Sequence, residues 1–311
     1  MGTDYGGILF IGDPHLASQV PGFRKDDFPR TALDKLKFCL DYAAGERLLP
    51  AILGDLFHFP RDNANWLLGE TIALLAAREA VAIYGNHDCR EDGLTEHDSF
   101  SVLDKARALR LVDAASPWRG VMNGRAVVLG GTSWRQPLPD GWDGDPGALV
   151  LWMTHHDLQI PGYQEGYLRP RELAGIAVVV NGHIHRSLAP VVCGGTTWIT
   201  PGNLARVSRS DASRAHVPGA LRIDIGADGW TMARIPVPHA PFEQVFHPEL
   251  AAGGRPEEAR SSFIDGLLEL EAVRTAEGAG FSSFLDKNLP RFDPEVQQAI
   301  RTLWHEVRSH E

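Results

Sequence analysis

Short apolar runs alternate with longer amphipathic stretches over the first 84 residues of the chain. The apolar runs predict strands at residues 7–11, 51–53 and 80–84, and the amphipathic stretches predict helices at 30–44 and 65–77. Strand and helix in alternation are typical of βαβ units, so we expect a largely parallel sheet with helices on its faces.

The second half of the chain is richer in predicted strands. Turns with Gly, Pro and Asp separate five apolar runs, at residues 126–129, 148–153, 176–180, 196–199 and 220–225. A series of strands with few helices between them fits poorly with one doubly wound sheet. We therefore predict an α/β fold in which two packed β-sheets are flanked by helices.

The strand pattern ends near residue 240, and helical patterns follow at residues 256–274, 281–289 and 293–308. We predict two domains from this change. The first is a large domain at residues 1–240, and the second is a small, acidic, mainly helical C-terminal segment at 241–311. We expect this segment to serve as a cap or to dock a partner.

Composition excludes several classes of protein. The 311 residues are 43% hydrophobic and 23% charged, as in ordinary globular proteins, and no apolar stretch approaches the ~18 residues of a membrane span. Three scattered cysteines predict neither a disulfide framework nor a thiolate zinc site: Cys39, Cys89 and Cys193. The N-terminus lacks an export signal, so we expect a cytoplasmic protein that does not enter a membrane.

The formal net charge of -10 argues at first against nucleic-acid binding. Much of this acidity lies in residues 241–311, which hold 7 Lys and Arg against 13 Asp and Glu and leave a net charge of -4 on residues 1–240. Residues 186–222 contain five arginines and one acid. This basic stretch suits a polyanionic substrate, or else it is a solvated loop whose arginines pair elsewhere.

Polar residues that can bind metals follow five of the predicted strands. They are Asp13 and His15, Asp55, the run Asn86, His87 and Asp88, then His155, and the pair His183 and His185. The carboxyl ends of strands in an open α/β sheet form a ligand-binding edge. Residues i and i+2 of extended chain point the same way, so each pair presents two donors to one centre. Carboxylate, imidazole and amide donors without thiolate favour Mn²⁺, Fe or Zn²⁺.

These motifs, in this order, resemble the calcineurin-like metallophosphoesterases. The family pattern is D-x-H, G-D-x-x-D, G-N-H-D or G-N-H-E, a lone His and G-H-x-H, and the resemblance covers roughly residues 7–240. It implies an αββα sandwich that holds two divalent metal ions, of which Mn²⁺ is the first choice and Fe or Zn²⁺ the alternatives. Water bound by the metals would attack phosphorus as hydroxide.

The resemblance also implies a role for each motif residue. One metal ion would be held by Asp13, His15 and His185. The second would be held by Asn86, His155 and His183, and Asp55 would bridge the two ions. His87 would contact the phosphate and protonate or stabilise the leaving oxygen, and Asp88 would orient the His87 imidazole by a hydrogen bond.

Two positions stay open. Residue 58 is His where the common pattern has a second Asp, so the contact that this Asp makes must be made differently or not at all. Within the pair His155 and His156, the resemblance favours His155 as the ligand and leaves His156 as an outer or structural residue.

The metal motifs do not choose a substrate. Residues 54–57, 201–209 and 235–246 look most like the SbcD-type DNA repair nucleases, which implies Mn²⁺-dependent endo- and exonuclease action on DNA, an SbcC-like ATPase partner and a homodimer. The candidate substrate contacts are Arg186, Arg206, Arg209 and Tyr163. The alternatives are a small-molecule phosphodiesterase, for example on cyclic nucleotides, and a scaffold protein without metals.

Overall fold

The computed structural model describes residues 5–163, 166–247, 289, 297–298 and 300–301. Contacts between Cα atoms divide the chain into two units, Met1–Pro248 and Glu249–Glu311. The three helices predicted after residue 255 lie almost entirely outside the described residues. All of the elements described below belong to the first unit.

The described part of the first unit contains twelve strands and five helices. The strands are β1 (Gly7–Ile11), β2 (Leu48–Leu53), β3 (Val81–Ile83), β4 (Arg110–Leu111), β5 (Trp118–Met122), β6 (Arg125–Thr132), β7 (Leu149–Thr154), β8 (Val178–Asn181), β9 (Leu188–Cys193), β10 (Thr196–Thr200), β11 (Gly219–Ile225) and β12 (Trp230–Pro236). The helices are α1 (Phe28–Gly45), α2 (Asn65–Ala76), α3 (Ser99–Lys105), α4 (Asp211–Ala215) and α5 (Phe242–Val245).

The strands form two mixed six-stranded sheets. The first has the order β12-β11-β1-β2-β3-β4, with β1 to β4 parallel to one another and β11 antiparallel to both β1 and β12. The second has the order β5-β6-β7-β8-β10-β9, with a parallel centre and antiparallel strands at both edges. The predicted α/β fold with two packed sheets is therefore confirmed.

Strand alternation explains how the layers pack. In β1, Ile8 and Phe10 face the apolar layer between the two sheets, whereas Leu9 and Ile11 face the layer beneath the helices α1, α2 and α3. The second sheet has the same alternation, with Leu151 in the layer between the sheets and Trp152 on the opposite face. Loop residues, rather than helices, cover much of that opposite face.

The predicted elements differ from the observed ones mainly at sheet edges. The first strand has the predicted bounds, and the first two helices match within two residues at each end. The edge strands β9 and β12 were not predicted. The apolar run LAPVVC of β9 contains a proline, which is unfavourable inside a sheet, and the exposed β12 mixes polar with apolar residues. In the part of the chain that the structure describes, every helix is too short or too polar to cross a membrane.

Candidate metal centre

The residues predicted to bind metal follow the carboxyl ends of five strands. Asp13 and His15 follow β1, Asp55 follows β2, and the first sheet also contributes Asn86 after β3. The second sheet contributes His155 after β7, and His183 and His185 after β8. The strands β1, β2 and β3 are parallel, as are β7 and β8, so their carboxyl ends meet at one edge of each sheet.

A first group of ligand atoms belongs to Asp13, His15, Asp55 and His185. One ligand atom from each residue lies within 4.8 Å of the others. The Nε2 atoms of His15 and His185 are only 2.9 Å apart, so the two rings point at a common centre. This is the ligand set that the family resemblance implies for one metal ion together with the bridging carboxylate.

A second group is formed by Asp55, His155 and His183, whose ligand atoms also lie within 4.8 Å of one another. Asn86 joins this group, because its Oδ1 lies 3.1 Å from Nε2 of His155 and 3.0 Å from Nδ1 of His183. Oδ2 of Asp55 lies 3.3 Å from Nε2 of His155 and 3.8 Å from Nε2 of His15. A single Asp55 oxygen therefore faces both groups, as a bridging ligand would.

The residues fit a pair of divalent cations. Oδ1 of Asp13 accepts the backbone N–H of His183 at 2.9 Å, while its Oδ2 is buried with no hydrogen-bond partner among the described residues. The Nδ1 of His155 lies 2.7 Å from the carbonyl of Leu53 and must donate to it, which leaves Nε2 unprotonated in the neutral ring. Oxygen and imidazole donors of this kind suit Mn²⁺, Fe and Zn²⁺.

The backbone at the site adopts conformations that side chains normally avoid. The φ angles of Asp13, His15, Asp55 and His183 are 41°, 48°, 48° and 69°. Left-handed conformations at non-glycine residues are uncommon and cost free energy, and they cluster at functional sites. Gly54 also has a positive φ of 91°, and a Cβ at this position would lie 2.6 Å from Nδ1 of His155. Glycine at 54 thus permits the close approach of β2 to the β7 histidine.

Burial sets the protonation of most of the histidines. It lowers the pKa of His15 and His183 well below the ordinary value and that of His185 to about 4. Burial also opposes the charged form of His155, but the neighbouring Asp55 and Asp13 raise its pKa to about 9. Neutral imidazole is the form that binds metal, so three of the four rings already have the required charge.

The carboxylates are brought together at a cost in free energy. Burial, together with Asp55, raises the pKa of Asp13 to about 7, although His155 opposes this shift. Burial would also raise the pKa of Asp55, but His155 and His87 hold it well below the ordinary value. Two bound cations would supply the positive charge that these buried carboxylates lack.

His87 lies beside the first group, and its ring is held by the backbone. Its Nδ1 lies 2.8 Å from the carbonyl oxygen of His58 and donates a hydrogen bond to it. The other ring nitrogen, Nε2, lies on the side of the ring away from this carbonyl. The His87 ring meets the His15 ring edge to face with centroids 4.8 Å apart. Its backbone N–H donates to Oδ1 of Asp55 at 2.8 Å, which ties His87 to the bridging carboxylate.

His58, whose role the sequence leaves open, belongs to this cluster. Its ring stacks on His87 at 5.3 Å between centroids, and ligand atoms of His15, His58 and His87 lie within 4.8 Å of one another. Burial and the neighbouring His87 lower the pKa of His58 to about 3. Its position three residues after Asp55 on the same loop is the one signal in the sequence for this placement.

Asp88 does not orient the His87 ring, contrary to the expectation from the family pattern. Its carboxylate accepts backbone N–H groups of Gly85 at 2.9 Å, Phe57 at 3.0 Å and Leu56 at 3.3 Å. These three donors occupy both Asp88 oxygens, so the carbonyl of His58 holds the His87 ring instead. The role of Asp88 is to join the loops that follow β2 and β3.

Outer contacts hold the histidines of the second group. The Nε2 of His183 lies 4.0 Å from Asp157, on the opposite side of the ring from Asn86. The Trp134 ring packs on His183 with centroids 5.1 Å apart.

His156 points away from the centre, since its Nε2 donates to the carbonyl of Gln136 at 2.9 Å. The structure thus brings His155, and not His156, into the metal-binding group.

The four predicted substrate contacts have different surroundings. Arg186 donates to the carbonyl of Gly162 at 3.1 Å and lies over the Tyr163 ring, so these two candidates are together. Arg206 is buried and donates to the carbonyls of His216 and Ala240, so its guanidinium joins chain segments and its position gives no support to substrate contact. The partly buried Arg209 lies over the ring of Phe23 at 5.7 Å.

Comparison with known proteins gives a family match and distant structural neighbours. The calcineurin-like phosphoesterase family matches residues 7–187. No curated protein matches the chain. Similar solved structures include a hypothetical protein from Thermus thermophilus, with 13% identity, a TM-score of 0.45 and coverage of 74% of this chain and 99% of the other.

Two further structures have lower TM-scores. A predicted phosphoesterase from Streptococcus pneumoniae has 12% identity, a TM-score of 0.34 and coverage of 79% of this chain and 94% of the other. Vacuolar Protein Sorting 29 from Cryptosporidium parvum has 14% identity, a TM-score of 0.31 and coverage of 74% of this chain and 97% of the other.

The family match is of a different order, because it spans more than half of the chain. It includes every residue of the two ligand groups, from Asp13 to His185. The described geometry brings these residues together at the edge where such a fold binds its ligands. This chain belongs to the calcineurin-like phosphoesterase family and is a metal-dependent phosphoester hydrolase.

Proposed function

We propose that this hydrolase is a phosphodiesterase with two metal ions that cleaves DNA, as a nuclease of the SbcD type in repair or recombination. The observation that carries the two-metal proposal is the Asp55 oxygen that faces both ligand groups. The SbcD-like segments of the sequence and the arginines that follow the metal-binding histidines support DNA as the substrate.

The protein's own residues would bind and orient the phosphodiester. Two divalent ions held there would polarise the phosphoryl oxygens and make a bound water acidic enough to attack phosphorus. His87 lies beside the first ligand group, and its Nδ1–H donates a hydrogen bond to the His58 carbonyl oxygen. Its Nε2 is the nitrogen left to contact the phosphate. When the ring is an imidazolium, with protons on both nitrogens, Nε2 would donate its proton to the leaving oxygen.

Arg186 would bind the substrate beyond the scissile group. It follows the ligand His185 directly, and its guanidinium is held over Tyr163 rather than in a salt bridge with any described residue. A positive charge one residue from the metal centre suits a neighbouring phosphate of a polynucleotide. A small cyclic diester carries no such second phosphate, which is why we favour DNA.

The proposal extends to the physiological setting. We infer Mn²⁺ as the metal, an SbcC-like ATPase as a partner, a homodimer as the assembly and the cytoplasm as the location. The metal, the partner and the homodimer rest on the sequence resemblance, and the oxygen and imidazole donor set is compatible with Mn²⁺. The location rests on the scattered cysteines and on the absence of an export signal in the sequence.

Parallel assays with Mn²⁺ test the proposal. Linear single- and double-stranded DNA, a cyclic nucleotide and bis-p-nitrophenyl phosphate are given to the unaltered protein and to His87→Ala, Arg186→Gln and Arg119→Gln. We expect cleavage of DNA and of the activated diester, with both lost in His87→Ala. Arg186→Gln should weaken DNA cleavage at low salt and spare the activated diester, whereas Arg119→Gln, an exposed arginine on β5, should change neither.

The outcomes separate the candidate functions. Rapid turnover of the cyclic nucleotide with intact DNA would favour a small-molecule phosphodiesterase and contradict the nuclease proposal. A protein that binds no Mn²⁺ and hydrolyses none of the esters would favour the metal-free scaffold.

A further inference from the structure

Phe59 is an exposed aromatic residue beside the metal centre. It exposes 47% of its surface directly after His58, on the loop between β2 and α2. Single exposed apolar residues are common on protein surfaces, so exposure alone says little. The contacts of its ring with His58 and the hydrogen bonds of its loop distinguish Phe59 from other exposed apolar residues.

The Phe59 ring continues a series of rings that begins at His87. His58 stacks on His87 with an interplanar angle of 23°, and Phe59 meets His58 edge to face with centroids 4.6 Å apart. The two histidines are partly buried, whereas Phe59 reaches solvent. The series therefore runs from the side chain that would contact the scissile phosphate to an apolar ring exposed to solvent.

The loop that carries Phe59 is firmly held. Nδ2 of Asn63 donates to the carbonyl of Phe59 at 2.8 Å, and the backbone N–H of Ser99 donates to the carbonyl of Pro60 at 2.7 Å. Arg61 donates to the buried Asp98 at 2.9 Å. An exposed ring on a backbone fixed in this way loses little entropy when a ligand binds it.

We propose that Phe59 is a substrate-binding residue that stacks on the nucleobase adjoining the scissile phosphodiester. This inference rests on the proposed nuclease function and adds a contact to the substrate base. A phosphate at His87 would lie at one end of this series of rings, and Phe59 at the other end offers an apolar, flat face to the adjoining nucleoside. Stacking tolerates any sequence because every base has a π-face, which suits a nuclease without strict sequence preference.

Intact and abasic DNA distinguish this role from a structural one. The Mn²⁺-loaded protein and the variants Phe59→Ala, Phe59→Trp and Met232→Ala are assayed on oligonucleotides with a tetrahydrofuran abasic analogue on either side of the cleaved bond. Met232 is a matched control, since it is 44% exposed and lies on the edge strand β12, which β11 and β1 separate from β2. Bound Mn²⁺ per chain is measured for every variant.

We expect Phe59→Ala to raise KM for intact DNA roughly tenfold, within the range for one stacked base, with kcat changed less than about twofold. Phe59→Trp should keep KM near that of the unaltered protein. On DNA that lacks the stacked base, the unaltered protein should fall to the level of Phe59→Ala, so that the difference between them disappears. Met232→Ala should match the unaltered protein throughout.

Three results would overturn the inference. An unchanged KM in Phe59→Ala would exclude stacking while the nuclease proposal stands. An equal loss on intact and abasic DNA, or a loss of bound Mn²⁺, would show that the ring only supports His58. Failure of the unaltered protein to cleave any DNA would reject the nuclease proposal and this inference with it.

Discussion

The Oδ2 atom of Asp55 lies within 4 Å of the metal-facing nitrogens of both His155 and His15, and the Asp55 backbone has a positive φ of 48°. A left-handed aspartate costs free energy that local packing must offset. The positive φ of Asp55 places one carboxylate oxygen between the two ligand groups, where it would bind both cations, and this function accounts for the conformational cost. At the scale of the residue, the site is thus a set of residues, several with a strained backbone, whose side chains converge on one carboxylate.

The neighbouring histidines 155 and 156 offer a test at the same scale. His155→Gln should lose metal at the second group and lower hydrolysis by two orders of magnitude or more. The substitution removes one of the two imidazole ligands of this group and leaves Asn86 and His183 beside Asp55. His156→Gln should keep both, since an amide can still donate to the carbonyl of Gln136. Metal content by mass spectrometry and turnover of bis-p-nitrophenyl phosphate measure the two effects. Equal losses in the two variants would contradict the assignment.

How far single residues could be predicted depended on their local signal. The ligands were predictable because five short motifs follow five strands in a fixed order. The burial of Arg206 was not, because its partners are backbone carbonyls far along the chain at His216 and Ala240. The hydrogen bonds of Asp88 were likewise not predictable, since two of its three donors belong to a loop about thirty residues earlier.

At the scale of the element, side-chain hydrogen bonds join the loops that follow neighbouring strands, in addition to the backbone hydrogen bonds between the strands themselves. Asp88 after β3 accepts N–H groups from the loop after β2 and from its own turn. The core strands were predictable because both of their faces are buried, and so they appear as continuous apolar runs. The edge strand β9 also has an apolar run, LAPVVC, but the proline within it is unfavourable inside a sheet, so the run did not predict a strand.

Asp88→Asn should destabilise the protein. An amide has only one acceptor oxygen, and its NH₂ group would face backbone N–H groups that it cannot satisfy. We expect the free energy of unfolding to fall by about 1–3 kcal/mol, the cost of buried donors left unpaired. Urea unfolding measures it, with Asp113→Asn as a control, because Asp113 accepts one N–H in an exposed turn. No difference between the two variants would contradict this account.

Helix α1 carries a buried lysine that opposes folding. Burial and the neighbouring Arg24 and Arg206 lower the pKa of Lys35 to about 8, against the favourable effect of Asp26. Lys35→Met should raise the free energy of unfolding by roughly 1–3 kcal/mol at pH 7, because the buried ammonium is removed while the side-chain volume is kept. Lys37→Met, on the exposed face of the same helix, should change it by less than about 0.5 kcal/mol.

The sign of the pH dependence follows from linkage. Between the folded pKa of about 8 and the unfolded value of 10.5, the unfolded chain binds more protons at Lys35 than the folded chain does. The cost of the buried charge is therefore fully present below pH 8 and is relieved as the pH rises to 10.5. The advantage of Lys35→Met should shrink over that range, and an advantage that grows with pH would contradict it.

At the scale of the whole molecule, charge is divided between the two predicted domains. The net charge of -10 belongs in larger part to residues 241–311, whereas buried carboxylates at the site account for some of the acidity of residues 1–240. Two divalent ions would bring the catalytic part close to neutrality. A negative chain is thus compatible with a polyanionic substrate once its metals are bound.

The shared metal centre is tested most directly by titrating the metal-free protein with Mn²⁺ while following both bound metal and the hydrolysis of bis-p-nitrophenyl phosphate. Asp55→Asn and the exposed control Asp62→Asn are treated in the same way. The account predicts two Mn²⁺ per unaltered chain, activity that requires both, and a loss of at least one ion and nearly all activity in Asp55→Asn alone. Hydrolysis that persists without metal, or a fully active Asp55→Asn, would contradict it.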